Sequence, residues 1–378
     1  MERDLTTGSI GRNILKFSLP YFLSYFLQTL YGMADLFIIG QFNGVASTTA
    51  VSIGSQVMHM ITVMIVGIAM GTTVMIGKSV GAKQKKETSK IIGNTVSLFV
   101  CLSVVLTVVL LFFVHPIVRI MSTPQQAVEG TTAYLTICFA GIPLITAYNI
   151  ISSIFRGLGD SKSPMYFIAV ACGVNIVLDY VFIGGLHFGA SGAALGTTLA
   201  QTISVIVALI ALIAIRKKDT GISLKRSDLK PEGKTLKNIL GIGIPISLQD
   251  GFIQISFIVI TIIVNQRGLN DAAAVGIVEK IISFVFLVPS SMLSAVSAIA
   301  AQNIGAGKDE RAAKTLKYAV MISVTFGLCI AVIMQFISNS VVGIFTSDAV
   351  VIYMGSQYIR SYIWAVSYTH LTLPTILR

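Results

Sequence analysis

Ten runs of mostly apolar residues divide this chain, at roughly 14–40, 50–77, 91–114, 127–155, 164–186, 189–215, 238–264, 273–303, 315–339 and 349–367. Each is long enough to cross a bilayer, which takes about 20 residues at a rise of about 1.5 Å per residue. Hydrocarbon offers no water to bare backbone groups, so such a run must fold as a helix that satisfies its own N–H and C=O groups. Charge is scarce enough to agree: 11% of the 378 residues are charged and 54% are hydrophobic, against about 25% charged in soluble domains. The first run, Ile14 to Gly40, exceeds a signal-peptide core and no small-residue cleavage site follows it. It is expected to remain as a first transmembrane helix. The expected fold class is an all-α polytopic membrane protein with about ten transmembrane helices, several tilted or extended beyond the bilayer.

The net charge of +11 matters less than its placement. Starting from the N-terminus, the odd-numbered breaks between runs carry three, five, two, eight and four Lys or Arg, whereas the intervening breaks hold only Arg119 and Arg267. The positive-inside rule then puts the N-terminus in the cytoplasm of a multi-pass protein of the cell inner (plasma) membrane. One missed helix would scramble this alternation, so it also supports the count. No stretch interleaves basic and aromatic residues as a nucleic-acid surface would, so no nucleic-acid partner is expected. Cys101, Cys138, Cys172 and Cys329 lie in apolar runs without a CxxC spacing and read as small hydrophobes. The longest break, 216–237, contains RKKD, LKR and Pro231 and separates residues 1–215 from 238–366. It reads as a basic, solvated cytoplasmic linker, with lipid-headgroup binding as the alternative.

The two parts are related. RNILKFSLP (12–20) matches KNILGIGIP (237–245) at a register of 225, and IGKSVGAKQKKETSK (76–90) matches AQNIGAGKDERAAK (301–314) at 224. IVRIMSTPQQAVEGTTAYL matches SVVGIFTSDAVVIYMGSQYI, pairing Tyr134 with Tyr358. Six helices per unit is an even number, so both copies start on the same side. They are parallel repeats about an axis along the membrane normal, an arrangement suited to alternating access. The second copy is incomplete, with about four helices. After Val366 the chain reads SYTHLTLPTILR, where the repeat predicts a Gly-Ile-Pro and an FRGLGD counterpart. Residues 367–378 are therefore expected to be a non-native tail on a C-terminally truncated protein.

Several stretches together resemble one known family. They are Leu19-Pro20, MADLFIIGQFNG (33–44), FRGLGDSKSP (155–164), and above all NIVLDYVFIGGLHFGASGAALGT (175–197). From about residue 10 to 366 the chain is similar to the multidrug and toxic compound extrusion (MATE) transporters, and within them to the prokaryotic DinF-like branch. The resemblance implies an Asp on helix 1 and an Asn/Asp pair on helix 5 lining a cavity in the first six-helix unit, here Asp35, Asn175 and Asp179. It adds Thr197 to that set, with Gln28 and Tyr134 as polar groups of the cavity.

The residues themselves point to the same positions. Four carboxylates fall in apolar runs: Asp35, Asp179, Asp250 and Glu279. A charge at the bilayer centre costs roughly 2.5–3.5 kcal/mol on insertion scales, so such a group is paired, protonated or wet. Asn175 and Asp179 share a helix face at the i, i+4 spacing, and Gln28 lies two turns before Asp35. A low-dielectric site favours the protonated carboxylate. Asp35 or Asp179 can then load a proton near neutral pH and release it when wetted. The oxygens of Asp35, Asn175, Asp179 and Thr197 equally suit Na⁺. A plain helix–helix hydrogen bond is the competing account of Asp179. Asp250, the repeat counterpart of Tyr25, either lines a cavity in the second unit or pairs with Lys280. Glu279 and Lys280 are adjacent and are expected to snorkel outward. His59, His115 and His187 lack metal spacing, and no metal other than Na⁺ is expected. The methionines of the second run either fill the core or form an adaptable wall, and GASGAALG is expected to permit close helix packing.

No P-loop, nucleophile elbow or HExxH occurs, so neither an ATP-driven pump nor an enzyme is expected. The expected function is export of amphipathic or cationic small molecules by a monomer, coupled to inward H⁺ or Na⁺ and needing no cofactor. The alternatives are a flippase for lipid-linked oligosaccharides, which would need several basic cavity residues, and a non-transporting relative. Pro20 and Pro245, repeat equivalents, would free backbone carbonyls and bend helices 1 and 7 together. If Pro20 is a working hinge, Pro20→Ala straightens helix 1 and slows transport; unchanged transport and unchanged helix geometry would leave only a packing kink.

Overall fold

The computed structural model of the chain describes residues 4–217, 225–346 and 348–369. Every regular element among the described residues is helical. They are α1 (Ile10–Phe42), α2 (Val45–Gly81), α3 (Lys85–Phe112), α4 (Val114–Ile120), α5 (Val128–Ala140), α6 (Ile142–Gly157), α7 (Lys162–Asp179), α8 (Gly189–Lys217), α9 (Gly233–Arg267), α10 (Leu269–Gly305), α11 (Asp309–Gly343) and α12 (Ala349–Thr369). Eight spans, or nine when α5 and α6 are taken as one bent pair, are long and apolar enough to cross a membrane among the described residues. α12 stands in the tenth predicted place. The helices of the two repeats thus follow the expected order, and residues 218–224 and 370–378, parts of the expected linker and tail, lie outside the described residues.

Two predicted helices differ in detail. The run 127–155 is not one rod: it bends by 48° between α5 and α6. Gly141 marks the break and Pro143 follows in the first turn of α6, where a missing N–H costs nothing. The run 164–186 ends α-helical geometry at Asp179 and continues as a π-helical turn over Tyr180–Gly185. Such turns are rare and locally re-aim side chains.

The expected linker is partly docked. Asn94 of α3 donates to the Asp228 carbonyl at 3.3 Å and accepts from the Glu232 amide at 2.6 Å. Lys90 of α3 pairs with Glu232 at 2.7 Å, and that bond, more than any other cause, holds the Glu232 carboxyl below the usual carboxylate range. Gly93 admits the backbone of Asp228 against α3. Residues 225–232 therefore lie on the first repeat, and α9 begins at Gly233, earlier than the expected 238.

The repeat shows in backbone geometry. At the α2–α3 turn the amides of Ala82, Lys83 and Gln84 bond the carbonyls of Lys78, Val80 and Ser79. At the α10–α11 turn Ala306, Gly307 and Lys308 bond Gln302, Ile304 and Asn303, each 224 residues later. Lys83 (φ 57°) and Gly307 (φ 70°) hold the same left-handed position. A lysine pays a small steric penalty there that glycine avoids.

The same two hairpins carry the contact between repeats. Gly77 faces Ala301 at the middle of the α2–α10 crossing. Gly81 lies against the backbone of Gln302, and Gly305 against the backbone of Lys78, its equivalent across the pseudo-twofold axis. Farther along α2, Gly71 meets the Ile239 carbonyl, Gly67 meets Ser247, and Gly243 of α9 meets Ile68. Beside this crossing, α1 packs Ile14, Phe17 and Tyr21 on Met292, Ala295, Ala298 and Ile299 of α10, with fully buried Leu5 completing the cluster. The segment before α1 is tied down as well: Gln302 accepts from the Leu5 amide at 3.2 Å, and Lys308 and Arg311 donate to the Thr6 and Thr7 carbonyls, both at 2.9 Å. The repeats are sealed together at the end of the bundle that bears the basic breaks.

Elsewhere the outer faces are apolar and exposed, as with Val100, Val104 and Val108 of α3 and Phe336 of α11, which suits lipid contact. Gly81→Ala and Gly305→Ala should each lower stability by about 1–3 kcal/mol through overpacking. Because both disturb one symmetric crossing, the double variant should lose less than the sum; thermal unfolding in detergent measures this, and full additivity would contradict a shared contact.

Candidate functional site

Asp35 lies on α1 seven residues before its last residue, and Asp179 is the last α-helical residue of α7. The two carboxylates face each other, with Asn175 and Thr197 beside them. Asp35 is 3% exposed, Asn175 1% and Asp179 fully buried. Thr197 of α8 donates its hydroxyl to Asp35 Oδ2 at 3.2 Å. All four residues expected to hold a coupling ion are thus in one place.

The close approach of α8 makes this possible. Gly192 packs on Phe182 of the π-helical turn, and Gly196 has Asp179 Oδ1 where a Cβ would stand. The small residues of GASGAALG let the helix pass directly over the carboxylate. The π-helical turn starts at the next residue, Tyr180, so the end of α7 and its carboxylate are set just before the distortion.

Five polar atoms here are buried without a hydrogen-bond partner among the described residues: Asp35 Oδ1, both carboxylate oxygens of Asp179, and Oδ1 and Nδ2 of Asn175. Among the described residues no lysine, arginine or histidine acts on either carboxylate. Two adjacent buried carboxylates cannot both stay ionised without a counter-charge. A proton held by the pair satisfies this, and so does a hard monovalent cation, for which carboxylate, amide-carbonyl and hydroxyl oxygens are fitting donors.

A wider polar layer surrounds the pair. Tyr134 of α5 is buried, bonds Ser55 of α2 at 3.1 Å through its hydroxyl, and lays its ring on Gly54. Tyr31, Tyr134 and Cys138 are within electrostatic range of Asp35, and Tyr31 engages Gln201 of α8. Sequence reasoning missed Tyr31, Ser55 and Gln201. Two of them carried a legible signal, since Tyr31 precedes Asp35 by four residues and Gln201 follows Thr197 by four, one helical turn each. Gln28 is partly exposed on α1 and makes no hydrogen bond to this cluster among the described residues.

Other candidates lie apart. Asp250 is partly buried on α9, and no ion pair joins it to Lys280 among the described residues. Glu279 does not simply snorkel: its carboxylate accepts from Thr261 of α9 at 3.3 Å, with Tyr358 and Tyr362 of α12 within electrostatic range. Pro20 is buried inside α1, where Ser24 donates to its carbonyl at 2.7 Å, while Pro245 is exposed in α9; both helices run on through them. His59, His115 and His187 are exposed, and among the described residues no group of three or more His, Cys, Asp or Glu is placed to hold a metal.

The chain is similar to known proteins over nearly its whole length. The MatE family profile matches residues 20–181 and 245–375. A probable multidrug resistance protein, YpnP of Bacillus subtilis (strain 168), is 29% identical over 357 residues, covering 94% of this chain and 79% of the relative. YoeA of the same organism, also described as a probable multidrug resistance protein, is 27% identical over 361 residues, covering 94% and 78%. The multidrug export protein MepA of Staphylococcus aureus (strain NCTC 8325 / PS 47) is 25% identical over 354 residues, covering 93% and 77%. Among solved structures, a MOP superfamily transporter from Pyrococcus furiosus superposes with a TM-score of 0.89 at 25% identity, over 98% of this chain and 82% of that one. An outward-facing multidrug resistance MATE transporter superposes with a TM-score of 0.88 at 26% identity, over 98% and 82%.

Gly196→Ala should cost about 1–3 kcal/mol by overpacking on Asp179, whereas Gly173→Ala, with nothing within 4 Å of its Cβ position, should change stability by less than about 0.5 kcal/mol. Truncating Asp179 to Ala should remove most of the Gly196→Ala penalty. Thermal unfolding of the four variants checks it: an undiminished penalty in the Asp179→Ala background would place the clash elsewhere.

Proposed function

The chain belongs to the MATE family of transporters, and on that footing we propose that it is an ion-coupled antiporter exporting amphipathic, often cationic, small molecules by alternating access. The relatives named for multidrug resistance and export support the substrate class. The observation that carries the coupling is the buried pair Asp35–Asp179: Asp35 Oδ2 accepts from Thr197, while the other three carboxylate oxygens and the Asn175 amide make no hydrogen bond among the described residues.

Physically, the pair is a site that must be neutralised while it is buried. A proton or Na⁺ entering from the outside cuts the charge of the pair from −2 to −1, which removes the repulsion between the two carboxylates and permits α1, α7 and α8 to stay packed around them. Loss of the ion leaves uncompensated charge in low dielectric, which favours a conformation that wets the site. Inward movement of one charge through 100 mV yields about 2.3 kcal/mol, enough to sustain a gradient of about 40-fold for a cargo without net charge; for a monovalent cation exchanged one for one the electrical terms cancel, and the concentration gradient of the ion is the drive. Tyr134 and Gln28 belong to the cavity through which cargo meets this pair, and Asp250 supplies a second carboxylate for organic cations. Pro20 and Pro245 are the bends that reshape α1 and α9 between states. Release of the crossing formed by Gly81 and Gln302 with Gly305 and Lys78 opens the inner side, which is the cytoplasmic side bearing the N-terminus. One chain holds both carboxylates, so the working unit is a monomer.

In proteoliposomes loaded with a fluorescent organic cation, Asp35→Asn and Asp179→Asn should each reduce ion-driven transport at least tenfold with expression and unfolding temperature retained. Asn175→Ala should impair transport driven by Na⁺ more than that driven by H⁺ if the amide completes an oxygen shell. Imposing a Na⁺ gradient alone, then a proton gradient alone, identifies the ion. Wild-type rates in both Asp variants would falsify the coupling role.

A further inference from the structure

Arg156 is the penultimate residue of α6, at the end of the bundle that bears the basic breaks. Its guanidinium carbon lies 4.8 Å from the centroid of the Tyr21 ring on α1. Tyr25 and Tyr148 are within its electrostatic range, but among the described residues no carboxylate is within ion-pair distance of it. Its Nε and the Tyr21 hydroxyl are buried and unpartnered among the described residues, and Ser152 Oγ, near the Tyr148 hydroxyl, makes no hydrogen bond of good geometry there. Ser152 sits one turn before Arg156 on the same face of α6. Tyr21 is 1% exposed and Ser152 fully buried. From α1, Tyr25 crosses to the second repeat and bonds Ser294 of α10 at 2.8 Å. Three unpartnered polar groups therefore gather where α1, α6 and α10 meet.

Arg156 is partly exposed but its Nε is enclosed; a largely enclosed cation without a carboxylate is costly, and the face of one tyrosine offsets only part of that cost. A guanidinium offers a planar fork of donors matched to a carboxylate, sulfonate or phosphate, and two free hydroxyls add neutral donors. We propose that Arg156, Tyr21 and Ser152 form an anion-recognition site at the inner contact between the repeats. The site takes the acidic group of an amphiphile, so the cargo range extends from cations to anionic and zwitterionic amphiphiles. It is opposite in sign to the Asp35–Asp179 site and separate from it. The proposal rests on the reading that the chain exports amphiphiles.

The test uses the full chain in nanodiscs of phosphatidylcholine, with calorimetric titration of decanesulfonate and, as its partner of opposite charge, decyltrimethylammonium. Arg156→Gln should weaken decanesulfonate binding at least about tenfold, as expected for loss of a charged hydrogen-bond partner, and leave decyltrimethylammonium within about twofold. Arg156→Lys, which keeps the charge and guards against misfolding of the Gln variant, should restore part of the loss. Tyr21→Phe with Ser152→Ala should weaken the sulfonate by about three- to tenfold. Competition by inorganic phosphate, or only by added phosphatidylglycerol, supports the site and identifies a free anion or a lipid headgroup as an occupant. Equal sulfonate affinity in wild type and Arg156→Gln, or none in wild type, overturns it. Failure of wild-type transport in the proteoliposome assay counts against the exporter reading alone, since sulfonate binding in nanodiscs that depends on Arg156 would still stand.

Discussion

The crossing of α2 and α10 is the contact on which the arrangement of the two repeats depends. Gly77, Gly81 and Gly305 bring backbone against backbone, and the pairs Gly81–Gln302 and Gly305–Lys78 are one contact made twice across a pseudo-twofold axis. In a bilayer there is no hydrophobic drive to bring helices together, because lipid tails are as apolar as leucine. Close approach of small residues supplies the packing instead. Each contact in this crossing lacks side-chain padding, so it is tight when formed and has little to hold it once the helices part. That is a suitable property for a closure at one end of a transporter.

The interior carries charge in two places, and their surroundings differ. Asp35 and Asp179 are enclosed within the first repeat by α1, α7 and α8, with Asn175 and Thr197 as neutral oxygen donors. Arg156 lies where the first repeat meets the second, among tyrosines. A pair of carboxylates inside one rigid group of helices is positioned to respond to an ion.

Much of the site was legible from spacing. The four-residue step from Asn175 to Asp179 and the run of small residues in GASGAALG both report local helical geometry, and both hold in the structure. The joining of Asp35 to that pair followed from family resemblance rather than from spacing, since 144 positions of chain separate it from Asp179. Other features were not legible. Run 127–155 reads as one apolar helix because hydropathy has no term for direction, yet Gly141 and Pro143 break it. Glu279 reads as a snorkelling residue beside Lys280, but its partner Thr261 comes from another helix. Most of residues 225–232 are exposed, as a polar linker should be, but the notch at Gly93 that receives Asp228 exists only in the folded bundle.

The sequence by itself determined that this chain is helical and many times apolar enough to span a membrane, where its polar breaks fall, and that one unit resembles another. Those properties follow from the length of apolar runs, the placement of Lys and Arg, and a repeat near 225 residues, all of which act locally or by simple counting. Only the tertiary structure decided that Asp179 faces Asp35 with α8 pressed over both, that α2 and α10 meet at matched glycines, and that Arg156 is left with tyrosines instead of a carboxylate. These depend on which helix faces oppose one another, and in a bilayer that choice is made by shape and by buried polar groups, which hydropathy cannot distinguish.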